Sequence, residues 1–415
     1  MLFLVLLMVG SIVATWHLTT TLSSSEPKLD VRDGGRDGVY VVIPSCRDEN
    51  LFETIGKWLS QLYSRYKVVV VEDCGEKSLI SSFQLKHIGS VETPRRVDVY
   101  VGDKLIVLER EGRIGLKAGA LNDAVRALSI LRPLGDAKYV IFVDSDHEPS
   151  DLFFISRAVA LIKKFGVDLL QGVQRHLYLG SSLDALVSTS HDISGTMLVG
   201  RTRLRMMPIF TGSTAIARLE PIAKLGFRED TVTEDFDLSV RMWLSGYAIA
   251  ATWNLYTWGR PPRNLKAYFK QQLRWSSGTI RTFLRYFVPV ITSDMSLRRK
   301  LDFVFQGTVF ASGVLYVAII IATAYKLITG AHFSVAEIAL LAYMLASGLA
   351  IDLYVESKYH TPAQPDILAP FLEFVTAFVH IGGTLLGALG REYGWIRTAR
   401  KFANAAGVGT SQEVV

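Results

Sequence analysis

Tyr139-Val140-Ile141-Phe142-Val143-Asp144-Ser145-Asp146 is an apolar run that ends in two carboxylates. The run lacks the alternation of a half-exposed strand and reads as a strand buried on both faces. Alternate residues at a strand end can point the same way, so Asp144 and Asp146 can face one ligand. Hard divalent cations such as Mg²⁺ or Mn²⁺ take oxygen ligands of this kind, together with substrate phosphates. Taken alone, an Asp-x-Asp is equally a solvated turn.

Outward from this strand the pattern repeats. Short β-branched runs at 39–43, 67–71, 105–108 and 167–174 alternate with helical periodicity at 114–131 and 152–165. Such alternation predicts an α/β fold with a mostly parallel sheet and helices on both faces. Ligands of such sheets bind at the carboxyl ends of the strands. There the chain places Glu72-Asp73 as well as Asp144-Ser145-Asp146. Thr233-Glu234-Asp235 precedes a helical stretch at 236–244, where a helix N-terminus favours negative charge. The same three residues would also serve as an ordinary N-cap. Ile209-Phe210-Thr211-Gly212-Ser213-Thr214 reads as a further strand whose Gly212 permits close ligand approach. The Gly-rich stretch 111–122, with Lys117, can offer backbone N–H groups and a cation to phosphate. It lacks the Gly-Lys-Ser/Thr order of a P-loop.

Of the 415 residues 49% are hydrophobic and 20% charged, and the mean hydropathy is +0.27. This excludes disorder and points to a chain part aqueous and part lipid-embedded. With 2 cysteines a disulfide-rich scaffold is excluded, and Cys46 and Cys74 read as thiols of a domain in a reducing compartment. Residues 1–25 carry no Asp, Glu, Lys or Arg and lack the basic start of a cleaved signal, so a retained membrane anchor is expected. Residues 303–325 are charge-free for 23 positions, about 34 Å of helix, enough to span a bilayer. Residues 374–390 are a second plausible span, and 338–351 is ambiguous between a span and a buried helix.

Arg298, Arg299 and Lys300 precede these segments, and Arg391, Arg397, Arg400 and Lys401 follow them. If both basic flanks are cytoplasmic, an even number of crossings must separate them, in conflict with three segments. Either the middle segment does not cross or the tail lies outside. The stretch 264–287 reads as an amphipathic helix, with Leu265, Phe269, Leu273, Ile280, Phe283 and Phe287 against Lys266, Lys270 and Arg274. That suits a helix in the membrane interface. Its Gln271-Gln272-Leu273-Arg274-Trp275 can bind a diphosphate through Arg and stack a sugar on Trp. The net charge of +6 lies largely beside the membrane segments, and no nucleic-acid motif is present, so nucleic acid is not an expected partner.

Taken in order, these residues resemble the membrane-embedded family 2 glycosyltransferases of the cellulose synthase and hyaluronan synthase type. The matching set is Ile43-Pro44 with Glu49, Asp73, Lys117-Ala118-Gly119-Ala120-Leu121-Asn122, Asp144-x-Asp146, Thr233-Glu234-Asp235 and Gln271-x-x-Arg274-Trp275. Where many members carry Tyr-Asn-Glu, this chain has Cys46-Arg47-Asp48-Glu49.

The resemblance implies a GT-A type nucleotide-sugar-binding domain at 36–258, an anchor at 1–22, interface helices at 262–300, transmembrane helices at 301–390 and a basic tail at 391–415. It implies donor binding by Glu49, Asp73, Lys117, Asp144 and Arg274, and metal binding by Asp146 with Asp144. It implies acceptor binding by Glu234, Gln271, Trp275 and Gly212, and a catalytic base in Asp235. The implied activity is processive, inverting transfer of a sugar from a nucleotide diphosphate-sugar, with a UDP-sugar expected, to a polysaccharide hydroxyl, using Mg²⁺ or Mn²⁺. The catalytic domain would lie on the cytoplasmic side of the cell membrane. Two alternatives stay open: single transfer to a lipid acceptor such as a polyprenyl phosphate or diacylglycerol, and a non-catalytic nucleotide-sugar-binding assembly subunit.

Overall fold

The computed structural model describes residues 1–29, 35–46, 48–74, 77–359 and 368–394. The predicted basic tail beyond Gly394, with Arg397, Arg400 and Lys401, and the motif residue Arg47 lie outside the described residues. Helix α1 (Leu2–Leu22) is followed by β1 (Val39–Ser45), α2 (Leu51–Leu59), β2 (Tyr66–Glu72), α3 (Lys77–Ser82), β3 (Lys86–Glu92), β4 (Arg96–Val101), β5 (Leu105–Arg110) and α4 (Leu116–Leu131). Next come β6 (Tyr139–Phe142), β7 (Glu148–Pro149), α5 (Phe154–Phe165), β8 (Leu169–His176), α6 (Ser182–Arg203), β9 (Ala215–Arg218), α7 (Leu219–Leu225), α8 (Glu234–Leu244) and β10 (Ile249–Gly259). Five helices follow: α9 (Leu265–Thr292), α10 (Leu297–Gly307), α11 (Ser312–Thr329), α12 (Val335–Tyr359) and α13 (Leu368–Ala388).

The strands form one sheet in the order β3-β4-β5-β2-β1-β6-β9-β8-β10-β7. Strands β5, β2, β1 and β6 are parallel, and β10 is parallel to β8. Strand β9 is inserted antiparallel between β6 and β8, and β3–β4 form an antiparallel edge hairpin. Alternate strand residues supply two apolar cores, one on each face. One face packs Ile43, Val70 and Ile141 against Leu51, Trp58 and Phe154 of α2 and α5. The other packs Val42, Val71 and Phe142 against α4, α8, α9 and α10, through residues such as Leu121, Phe236, Phe283, Tyr286 and Phe303.

Three expectations need correction. Residues 209–214 are not a strand. Gly212 at φ +85 and Thr214 at φ +58 break extended geometry. The backbone there bonds side chains instead of a ladder: Phe210 N to Ser239 Oγ at 2.8 Å and Thr211 N to Gln171 Oε1 at 3.0 Å. The charge-free run 303–325 is not one span. It divides into α10, whose Phe303 is fully buried in the sheet core, and α11, with a turn between them. Cys46 and Cys74 are joined in a disulfide, not held as thiols, with Cα atoms 5.1 Å apart. The parallel register that sets Ser45 beside Glu72 brings Cys46, one residue beyond β1, close to Cys74, two residues beyond β2.

Among the described residues four helices are long and apolar enough to cross a membrane: Leu2–Leu22, Ser312–Thr329, Val335–Lys358 and Phe371–Ala388. Helix α1 is tied to the sheet layer by a buried hub. Asp302 of α10 accepts from Arg201 Nε of α6 at 2.9 Å, Met207 N at 3.0 Å and Trp16 Nε1 of α1 at 3.2 Å.

Candidate active site

The site forms where β2, β1 and β6 end side by side, closed over by the segment before β9 and by the N-terminus of α8. Asp144 leaves β6, and its N–H donates to Ser213 Oγ at 2.9 Å. Lys117, in the first turn of α4, donates to Asp144 Oδ1 at 2.5 Å and to the Gly212 carbonyl at 3.0 Å. Its ammonium also lies 3.8 Å from Glu234 Oε1. Burial disfavours that charge, but Asp144, Glu234 and Asp235 around it hold the ammonium above its ordinary value. One cation therefore ties the β6 acid to the two α8 acids.

Glu234 and Asp235 form the first turn of α8, which begins earlier than the helix boundary expected from sequence. The Phe236 N–H donates to Asp235 Oδ1 at 2.8 Å. Burial raises both carboxyls; it pushes Glu234 up to about 7, with Lys117 opposing and Asp235 adding to the rise. For Asp235, Lys117 and Arg274 oppose the same burial. Gly212 is needed beside them. A Cβ there would sit 2.9 Å from Asp235 Oδ2 and 3.4 Å from Lys117 Nζ, and φ is +85.

Asp144, the buried Asp146 and the buried His147 bring potential ligand atoms within 4.8 Å of one another. Two carboxylates and an imidazole are a donor set that Mn²⁺ or Mg²⁺ accepts. His147 follows Asp146 directly, yet Cys/His spacing gives no sign of it. Ser145, between the acids, donates to Asp48 Oδ2 at 2.7 Å, which brings the loop after β1 into the site. Glu49 itself is exposed at the turn ahead of α2. Asp73 is buried at the end of β2 and ion-paired with Arg110 of β5. Burial raises its carboxyl, with Arg110 opposing.

Helix α9 supplies the remaining residues. Arg274 Nη1 donates to the Val232 carbonyl at 3.3 Å, directly before Thr233-Glu234-Asp235. Gln271 is buried. Trp275 meets His191 of α6 edge-on at 6.0 Å, and His191 lies against His176 at 3.9 Å with the rings tilted by 40°; His176 in turn meets His147 at 5.5 Å. A file of three imidazoles thus links the Asp144-Asp146-His147 group to Trp275. The His residues are far apart in sequence, so nothing in their spacing signals it.

The family model for glycosyl transferase family group 2 matches residues 139–351, just over half of the chain. The chain belongs to the family 2 glycosyltransferases. Among curated relatives of this glycosyltransferase, probable glucomannan 4-beta-mannosyltransferase 9 of Oryza sativa subsp. japonica is 25% identical over 202 residues, 48% of this chain and 37% of that one. The UDP-forming cellulose synthase catalytic subunit of Komagataeibacter sucrofermentans is 26% identical over 256 residues, 56% of this chain and 33% of that one. The chain thus spans only about a third of the length of these relatives. The fold is shared with mannosyltransferase PcManGT from Pyrobaculum calidifontis, solved with GDP-Man and Mn²⁺. That likeness has a TM-score of 0.64 and 19% identity and covers 94% of this chain and 99% of that one. The α/β GT-A architecture and the four apolar helices make this a membrane glycosyltransferase.

Proposed function

We propose that the protein moves a hexose from a nucleotide diphosphate-sugar to a hydroxyl of a growing glycan at the membrane surface, with inversion. The observation that carries this reading is the convergence of Asp144, Gly212, Glu234 and Asp235 around Lys117. Asp73 and the loop of Asp48 and Glu49 would face the nucleoside. Asp144, Asp146 and His147 would hold a divalent cation, which offsets charge on the leaving diphosphate. Lys117 and Arg274 add positive charge near the same group. Gln271, Trp275 and Glu234 would seat the acceptor sugar beside Gly212.

Asp235 is the base. Its carboxylate takes the proton of the acceptor hydroxyl as oxygen attacks the anomeric carbon and the bond to the diphosphate breaks. One base on the face opposite the leaving group gives inversion; no carboxylate nucleophile is required. The donors bound by relatives, GDP-mannose in PcManGT and a UDP-sugar in cellulose synthase, are the first to try. With Mg²⁺ or Mn²⁺, the purified protein should release nucleoside diphosphate from one of them. Asp235→Asn should bind nucleotide as before and lose at least a hundredfold in turnover. Turnover within tenfold of the parent would remove Asp235 from the role.

A further inference from the structure

The segment between α7 and α8, residues 226–233, forms neither helix nor strand, yet it carries the chain into the first turn of α8, where Glu234 and Asp235 stand. Its start is gripped from the sheet side. The Phe227 N–H donates to Asn122 Oδ1 at 2.7 Å, and Asn122 Nδ2 donates to the Phe227 carbonyl at 2.8 Å and to Glu229 Oε1 at 2.9 Å. The amide of one α4 side chain thus stands in for a ladder partner. Arg95 then closes on Glu229 with two parallel bonds, Nη1 to Oε2 and Nη2 to Oε1, each 2.8 Å. Such a fork fixes the orientation of a carboxylate as well as its distance. It holds the Glu229 carboxyl below its ordinary value.

Arg95 comes from the turn between β3 and β4 and is itself anchored, its Nε donating to Asp123 Oδ2 at 2.8 Å. Asp123 is fully buried on α4, next to Asn122, and also accepts from Arg110 Nε and from Thr93 Oγ1 at 2.8 Å each. Arg110 in turn pairs with Asp73 at the end of β2. Charge therefore alternates without a break along Asp73, Arg110, Asp123, Arg95 and Glu229. The file runs from the acid proposed to face the nucleoside to the segment ahead of the proposed base. The Gly-rich stretch makes room for it. A Cβ at Gly115 would run into the Glu229 carboxylate, and one at Gly119 would sit 2.8 Å from Arg110 Nη2.

We propose that Glu229 is a positioning residue for the transfer. Gripped by Arg95 and Asn122, it holds the segment 226–233 against the sheet and so sets Glu234 and Asp235 against Lys117 and Gly212. The inference rests on the glycosyl-transfer reading above and adds to it a residue that acts through the base. Helix α9 and Glu392 hold residues 231–233 from the other side. Removing the fork therefore loosens the segment without freeing it, and the expected loss falls below the roughly hundredfold that a displacement near 1 Å costs. The Glu229 side chain is 31% exposed, so it can be changed without opening the core, which is not true of Asp123.

The test uses the full chain in detergent with Mn²⁺ and whichever of GDP-mannose or a UDP-sugar the parent turns over. In Glu229→Ala the amides of 230–236 should exchange with deuterium at least about fivefold faster. Its kcat should fall roughly tenfold to thirtyfold, while donor KM and nucleotide affinity stay within about threefold of the parent. Glu229→Gln keeps an oxygen for Asn122 and for Arg95 Nη2 and loses only the bond to Nη1, so its deficit should shrink to roughly threefold. Turnover of Glu229→Ala within about threefold of the parent, unchanged exchange at 230–236, or nucleotide affinity falling in step with kcat would each overturn the proposal; the last would make the ion-pair file part of the donor site. If Glu229→Ala does not fold, Glu229→Gln decides, and a kcat equal to the parent's overturns the role. A parent that releases no nucleotide from any donor sinks the transfer reading instead, and the exchange comparison still decides whether Glu229 holds the segment.

Discussion

Gly212→Ala perturbs the centre of the site by a single methyl group. Two costs can be separated. A left-handed backbone costs a residue with a Cβ about 1–2 kcal/mol relative to glycine. Gly166 ends α5 at φ +63, and a Cβ added there would have no neighbour within 4 Å, so Gly166→Ala carries the backbone cost alone. At Gly212 the same Cβ also meets Asp235 Oδ2 at 2.9 Å. Real Cβ contacts do not come that close, so the carboxylate must retreat by several tenths of an ångström. The other oxygen of Asp235 accepts from the Phe236 N–H, so a retreat stretches that bond. A misplacement approaching 1 Å at a reacting group costs on the order of a hundredfold in rate. Gly166→Ala and Gly212→Ala should therefore be destabilised alike in thermal unfolding, by a few degrees. Only Gly212→Ala should lose activity, by roughly thirtyfold to a hundredfold in nucleotide release with acceptor present. Should the two variants turn over within about threefold of each other, Gly212 is not shaping the base, and the placement of Asp235 against the reacting hydroxyl is wrong.

Asp302→Ala leaves the buried Arg201 guanidinium without its carboxylate and should cost about 3–5 kcal/mol, read as a lower unfolding temperature and a poorer yield in detergent. His191→Ala removes the edge contact to Trp275 and should raise the acceptor KM while donor hydrolysis in water stays unchanged; equal loss of both would reduce the imidazole file to a packing role. Burial raises the Asp235 carboxyl, and the ionised form is the proposed base, so activity should rise with pH, with its acid limb displaced above the ordinary Asp value. Lys117→Met withdraws the cation opposing that rise, so the acid limb of the pH profile should move to higher pH. Cys46→Ser opens a loop closed over 28 residues and should cost about 3–4 kcal/mol by the loop-entropy relation; an unchanged unfolding temperature under reductant would show that the pair contributes nothing.

The parallel strands β1, β2, β5, β6 and β8 were legible because each carries a buried apolar run, as at Tyr139–Phe142, whereas β10, parallel to β8, was not foreseen. The β3–β4 hairpin was not, because Lys86–Glu92 is an edge strand that is mostly polar and mostly exposed. Burial, not propensity, distinguishes such a strand from a loop. The segment 209–214 carries strand-like residues, but its ladder partners are replaced by the amides of Gln171 and Gln174, which donate to Ser213 O and Thr211 O at 2.8 Å each. Those glutamines lie some forty residues away, so no local window contains the competition. The disulfide had the same origin: it depends on strand register. Hydropathy does not number the crossings, since α13 is apolar enough to span yet packs side by side with α9.

The placement of the base depends on elements that hydropathy assigns to the membrane side. The chain before α8 is gripped from three directions. Glu392, beyond α13, accepts from Thr231 Oγ1 at 3.0 Å and from Val232 N at 3.1 Å. Arg274 of α9 donates to the Val232 carbonyl. Thr282 of α9 shares a hydroxyl contact with Thr233 at 3.1 Å. The first turn of α8, with Glu234 and Asp235, thus takes its position from α9 and the end of α13 as much as from the sheet. A fragment ending at Gly259 would keep the strands that end at Asp73, Asp144 and Asp146, the residues proposed to bind the donor. It would lose every one of these three holds on the acids of α8. On the function proposed above, donor binding would belong to the sheet, whereas the acid–base chemistry would need the contact between the sheet and the helices that follow it.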